Sequence, residues 1–314
     1  MLRYLLNRLI QLPITLVGLF TIIFIIVRIM PGDPVTAYLG DIATPEAIEE
    51  MRRNFNLDKP LIVQYFETFT EIIQGDFGKS FVSGRSVAAE IMEVLPNTLI
   101  LALAALLISS IMGVLAGVLA ALRIKKMTDY IVMIFSTLGV AIPVFWLALM
   151  LIYLFSYKLD LFPVASVTAK PTFLAQLHAL VLPSFALGLL FMSVVARMTR
   201  SSMAEVLNSD FIRTVRAKGA TERLIVMKHA LRNAMILIVT VIGINSGLLI
   251  AGAVLAETVF VRPGIGKLLV DAVLSSDYPL VQGTVLFIGL IYIFVNLIVD
   301  LLYAYLDPRI KLGN

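Results

Sequence analysis

The sequence contains no cysteine and only two histidines, His178 and His229. The first absence removes disulfides and thiolate metal sites from consideration. The second leaves neither histidine with a partner histidine or carboxylate at ligand spacing, so no zinc or iron centre is expected. Charge is scarce as well. Only 15% of the 314 residues are charged and 60% are hydrophobic, with a mean hydropathy of +0.96. Soluble domains sit near half apolar and a quarter charged, so the departure points towards lipid. No Gly-x-Ser-x-Gly elbow occurs. Gly264-Ile265-Gly266-Lys267 resembles a phosphate loop only in part, because Val261 and Leu268 stand where that loop needs glycine and a hydroxyl residue. The chain is therefore not expected to be an enzyme or to hydrolyse ATP. Its net charge of +4 fits basic loops beside a membrane better than nucleic acid, since the basic residues are not interleaved with exposed aromatics.

What the sequence does have is long apolar runs. About 20 mostly apolar residues cross a bilayer, and six segments qualify: 9–29, 97–122, 131–155, 177–199, 235–256 and 281–305. The expected fold is an all-α membrane protein with about six transmembrane helices. Its parts are an N-terminus with the first span (1–30), an extracytoplasmic loop (31–96), a five-helix core (97–306) and a tail (307–314). The first run follows Arg3 and Arg8 but lacks a small-residue cleavage site before Pro31-Gly32-Asp33-Pro34, and so reads as a retained helix.

Orientation follows from Lys and Arg. With the N-terminus inside, the inner segments hold fifteen of them and the two short outer loops only Lys158, Lys170, Arg262 and Lys267. Both termini are then cytoplasmic. The long first loop is acidic and reads as a small outer cap, with Thr44-Pro45-Glu46 as a helix start. Gly113-x-x-x-Gly117 and Gly243-x-x-x-Gly247 predict close helix packing. Pro143 and Pro183 predict kinks in the third and fourth spans, or places where a helix loosens beside a cavity.

Few polar residues lie within the runs. Arg28 and Asp300 sit near span ends, where each can snorkel or pair. Asn245 and Ser246, near the middle of the fifth span, are candidates either for a polar translocation path or for hydrogen bonds between helices. No titratable relay sits at mid-span, which argues against a proton-coupled carrier and places the energy source outside this polypeptide.

The inner segment 200–234 is the most informative. Two helical patterns meet at Gly219, read as a left-handed C′ glycine, and Thr221 opens the second. A basic helix–turn–helix with an apolar stripe (Leu224, Ile225, Met227) suits docking into a partner's groove. A solvated basic loop reads equally well from composition alone.

Arg213-Thr-Val-Arg-Ala-Lys-Gly219-Ala and the later Lys-His-Ala-Leu-Arg-Asn-Ala run closely resemble the coupling loop of ABC-transporter permeases, and more narrowly the dipeptide/oligopeptide/nickel importer branch. The resemblance extends through Met30-Pro-Gly-Asp-Pro34, Leu57-Asp-Lys-Pro-Leu61, Gly75-Asp-Phe-Gly-Lys-Ser80, Leu95-Pro-Asn-Thr-Leu99, Glu257-Thr-Val-Phe, Arg262-Pro-Gly-Ile-Gly266, Asp277-Tyr-Pro279 and Asp307-Pro-Arg309. Leu237 stands where that branch often has proline, and Arg213 and Thr214 replace the Glu-Ala opening common to ABC permeases at large.

The resemblance implies a permease subunit in the inner membrane of a prokaryote, paired with a second homologous permease. It further implies two cytoplasmic ATPase subunits, which use the ATP and Mg, and an extracytoplasmic binding protein. No cofactor would be held by this chain. Arg213, Arg216, Ala217, Lys218, Gly219, Ala220, Thr221, Glu222 and Arg223 would form the ATPase-coupling loop. The cargo would be a peptide or, alternatively, a nickel chelate or other small solute.

Overall fold

The computed structural model describes residues 2–29, 35, 44–54, 56–164 and 172–306. The motif around 30–34, the Asp307-Pro-Arg309 motif with the tail, and the side chain of Asp300 lie outside what is described. The described residues form helices, with one isolated β-bridge between Lys79 and Ser86. Five helices are long and apolar enough to cross a membrane, and a bent pair makes up to six.

The chain divides into two compact units. The first comprises residues 1–98 and 263–293, so it cuts across the sequence division at 30 and 96. It contains α1 (Leu2–Ile29), α2 (Pro45–Asn54), α3 (Leu61–Ile73), the start of α4 (Val87–Leu122), α11 (Ile265–Leu274) and most of α12 (Tyr278–Leu306). Aromatic side chains fasten α3 to α1. Phe20 packs with Tyr65 and Phe69 at ring separations of 5.1 and 5.3 Å, and Phe24 meets Tyr65 edge-on at 5.3 Å. Tyr65 and Thr21 also share a 2.8 Å hydroxyl hydrogen bond. Buried Ile91, Val87, Ile265 and Leu286 complete this core.

One buried carboxylate organises the same unit. Asp277, fully buried, accepts from the Ser80 hydroxyl, from the Phe81 and Val82 amides at 3.1 and 3.2 Å, and from the Leu280 amide at 3.2 Å. The last contact caps the first turn of α12, whose leading N–H groups lack helical partners. The other three pin the turn after Gly78 to that helix. Two of the motifs singled out in the sequence, the one ending at Ser80 and the one opening at Asp277, are thus one structural joint.

The second unit comprises residues 99–262 and 294–314. Its centre is α7 (Phe173–Leu207), flanked by the rest of α4, α5 (Met127–Ala141), α6 (Val144–Leu151) and α10 (Leu231–Val259). Small residues set the approach of these helices. A Cβ on Gly113 would lie 2.8 Å from the Val195 side chain, and one on Gly117 would lie 2.5 Å from the Ala196 carbonyl. On α10, Gly243 faces Val299, with 2.7 Å from a notional Cβ to its side chain. Such contacts supply the van der Waals packing on which helix association in lipid depends.

The third expected span is not one rod. α5 and the helix from Val144 to Lys158 meet at 107°. The cause is local: Ile142, preceding a proline, is extended (φ −80°, ψ 123°), and Pro143 has no N–H to return to Gly139. Pro183, by contrast, lies buried inside a continuous α7. Two glycines after Pro263 suit a tight turn by sequence, but Gly264 is extended at the N-cap of α11 and Gly266 is buried within that helix. The positive φ falls on Val261, at 48°. Lys267 binds Asp271 one turn along the same helix, at 2.9 and 2.6 Å.

Candidate functional site

At its C-terminal end α7 runs into a projection built from three short pieces. α8 (Asp210–Ala217) ends at Gly219, and α9 (Glu222–Leu224) then passes through a π-helical turn, Ile225–Ala230, into α10. The sequence forces the break. Gly219 has φ +82°, a conformation that costs a residue with a side chain roughly 1–2 kcal/mol. A Cβ built there meets nothing within 4 Å, so backbone conformation and not crowding demands the glycine. Thr221 is the extended N-cap of α9, its carbonyl accepting from Ile225 N at 2.9 Å, with no side-chain cap bond.

Across the turn Arg216 donates to both oxygens of Glu222, Nε to Oε1 at 2.6 Å and Nη2 to Oε2 at 3.2 Å. This fork spans the turn between α8 and α9, and it raises the Arg216 guanidinium above its ordinary pKa through the hydrogen bond and the carboxylate charge. Arg213 is tied to Asp210 at 3.1 Å, an exposed pair one turn apart worth a few tenths of a kcal/mol.

The apolar residues of the projection divide in two. Ile212, Ile225 and Val226 are buried with Met203, Ala230, Ala234 and Ile238, which anchors the turn to α7 and α10. Phe211, Leu224 and Met227 are 50%, 42% and 60% exposed. The stripe expected from sequence placed Ile225 among the exposed residues. At about 100° per residue Ile225 lies about 100° from Leu224 and about 200° from Met227, so it faces inward where they face out. Phe211, missed in the sequence because it lies on the other helix, joins the outer face instead, its ring edge-on to His229 at 5.9 Å. Lys218 and Arg223 are exposed on the same projection, Arg223 without an ion pair among the described residues.

Behind the projection lies a polar lock that the sequence did not reveal. Arg200 on α7 grips Asp129 at the start of α5 through two hydrogen bonds, that from Nη2 measuring 2.7 Å. Asp129 also accepts from Lys125 N at 3.0 Å, and Arg197 reaches the Ser136 carbonyl at 3.3 Å. Arg200 and Asp129 are 71 residues apart in sequence, so no local spacing pairs them.

Asn245 and Ser246 are half-buried and turn their polar groups on their own helix, to the Val241 and Gly243 carbonyls at 2.7 Å each. The His178 ring lies tilted against Phe162, with 4.7 Å between ring centres. No group of three His, Cys, Asp or Glu that could hold a metal occurs among the described residues.

Residues 113–312 match the family described as binding-protein-dependent transport system inner membrane component, and residues 1–102 match its N-terminal domain. The chain is 38% identical to the dipeptide transport system permease protein DppB of Alkalihalophilus pseudofirmus, covering 99% of this chain and 100% of that one. It is 40% identical to the di/tripeptide transport system permease protein DppB of Pseudomonas aeruginosa, over 99% of both. It is 39% identical to the glutathione transport system permease protein GsiC of Salmonella choleraesuis, again over 99% of both. With its apolar helices, its small-residue packing and this end-to-end likeness, the chain belongs to the binding-protein-dependent inner-membrane components and is a permease subunit of an ABC importer.

Proposed function

We propose that this permease forms half of the translocation path for a peptide or similar small solute, and that the projection around Gly219 couples it to two cytoplasmic ATPase subunits. A second homologous permease would complete the path, and an extracytoplasmic binding protein would deliver the cargo. The cargo reading leans on the dipeptide, di/tripeptide and glutathione transporters named among the relatives. The coupling reading rests on one observation: a turn bridged by Arg216–Glu222, anchored from within by Ile212 and Ile225, presents Phe211, Leu224, Met227 and Arg223 outward. An apolar and basic knob of this kind fits a partner's groove. This chain would hold no nucleotide. ATP and Mg would act in the partner subunits, whose closure would shift the projection and tip the helices between inward- and outward-facing states.

Gly219→Val tests this. The substitution meets no neighbour, so the spans should insert at normal abundance. The strained turn should swing α9, weaken co-purification of the ATPases, and abolish ATP-dependent uptake. Gly219→Asn, which tolerates left-handed backbone, should retain more uptake than valine. Arg223→Glu should weaken ATPase association more cleanly than Arg216→Glu, because Arg216 is already engaged by Glu222. Wild-type uptake by the valine variant would reduce the projection to a solvated connector.

We also infer that both termini are cytoplasmic and that the bent pair makes one crossing. Single cysteines in this cysteine-free chain are expected to label from outside at positions 60 and 159 and from inside at 126 and 219. Labelling of 126 and 159 from the same side would make the bent pair a re-entrant loop.

A further inference from the structure

The unit that contains α1, α3 and α12 has a polar cavity that the transport reading leaves unused. Its volume is about 380 Å³, within the roughly 300–1,000 Å³ range of small-molecule sites. Four charged side chains line it: Arg28, Lys79, Glu71 and Asp76. Two buried donors in its wall, Arg28 Nε and Gln282 Nε2, have no acceptor among the described residues, and Gln282 as a whole is only 8% exposed. The Arg28 guanidinium lies over the Phe24 ring at 5.2 Å and has no ion pair among the described residues. A half-buried cation and a buried amide without acceptors are costly unless something completes them.

An apolar groove of about 290 Å³ adjoins this cavity, and Ile72 and Phe77 line both. The order along the helices gives the two their relative depth. Arg28 is in the last turn of the span Gln11–Ile29. Pro13, Leu16 and Phe20 line the groove, about 12–22 Å further along the same helix at 1.5 Å per residue. On α12, Gln282 and Gly283 line the cavity and Leu286 and Leu290 the groove. The polar cavity therefore sits where a span reaches the headgroup layer, and the groove runs from it towards the bilayer interior.

We propose that cavity and groove together hold one zwitterionic phospholipid of the phosphatidylethanolamine class, its phosphate on Arg28 and Gln282, its ammonium on Glu71 and Asp76, and an acyl chain in the groove. The two cations and two carboxylates of the cavity balance, which suits a headgroup of both signs better than an anionic one. Burial, then the adjacent Asp76 and Glu67, push the Glu71 carboxyl above its ordinary value while Lys59 opposes them. An ammonium seated beside Glu71 would relieve that crowding. The groove excludes a purely soluble ligand as the full occupant, since it is lined by carbon from α1, α3 and α12.

The test uses the complete transporter, purified in detergent, delipidated and then examined for retained lipid by native mass spectrometry. Wild type should keep a phosphatidylethanolamine through washing. Arg28→Gln should lower its retention about tenfold, the scale of one charge-assisted hydrogen bond, while Arg28→Lys keeps most of it. Leu290→Trp, which fills the groove and leaves Arg28 in place, should also lose the lipid, so the proposal does not depend on one variant folding. Equal retention in wild type, Arg28→Gln and Leu290→Trp would overturn it, as would preference for phosphatidylglycerol. A third overturning result is thermal stabilisation by glycerophosphoethanolamine or a free dipeptide as strong as that by phosphatidylethanolamine nanodiscs, which would make the cavity a soluble-ligand site.

Discussion

Asp277→Ala is expected to leave little folded protein in the membrane. The change strands the buried Ser80 hydroxyl and Phe81 amide, frees the part-buried Val82 amide, and uncaps the first turn of α12. A hydrogen bond to a charged group contributes about 1.5–3 kcal/mol, and a buried donor left unmade costs about 1–3 kcal/mol. Four such bonds are not additive, yet a loss of about 3 kcal/mol or more follows, at the upper end of single-residue effects. Asp277→Asn keeps the shape and one acceptor oxygen, and should fall between alanine and wild type. Thermal melting of the purified transporter and protease sensitivity of the segment near Ser80 are the measurements. Wild-type melting of the alanine variant would show that the joint contributes nothing to stability.

Arg200→Ala should be nearly as damaging, and for a different reason. Asp129 is 2% exposed, so removing its guanidinium partner strands a charge out of water. Breaking such a pair costs about 3–5 kcal/mol, whereas removing both partners is often far milder. The double variant Asp129→Ala/Arg200→Ala should therefore melt above the single Arg200→Ala, because the exposed Lys125 can give its amide to water. Asp129→Ala alone should also be milder than Arg200→Ala, since Arg200 is partly exposed and can rehydrate. If the double variant melts below Arg200→Ala, the pair is not coupled in the way its geometry implies. This cycle separates the ion pair from ordinary packing, which would give simple additivity.

Much of the fold was legible because lipid imposes a crude rule: a run of about 20 apolar residues is readable without knowing its neighbours. The left-handed turn at Gly219 was legible for a similar reason, since a glycine between two helical patterns is a local signal. Long-range pairings were not. Ser80 and Asp277 are 197 residues apart, and nothing in the spacing of a single sequence joins them. The same holds for Arg200 and Asp129, 71 residues apart. Pro143 was read as a kink or loosening, but how far a helix turns at a proline depends on the preceding residue, and Ile142 went fully extended. The outer face of the projection was half legible. Leu224 and Met227 lie outward, while Ile225, about 200° from Met227 at 3.6 residues per turn, faces inward at the start of the π turn.

That π turn also governs which changes of length the chain can absorb. A π turn closes i to i+5 and so holds one residue more than an α turn. Here the closure is the bond from Leu231 N to the Val226 carbonyl. Removing a single exposed residue inside it, such as Met227, lets the helix rewind as α while Ile225 on one side and Ala234 on the other keep nearly the same azimuth. The same deletion elsewhere along Glu222–Val259 would rotate everything to one side by about 100°, one residue's share of a 3.6-residue turn. The helix thus carries a slack position between its anchor and its span, where a one-residue deletion is a local event and not a change of register.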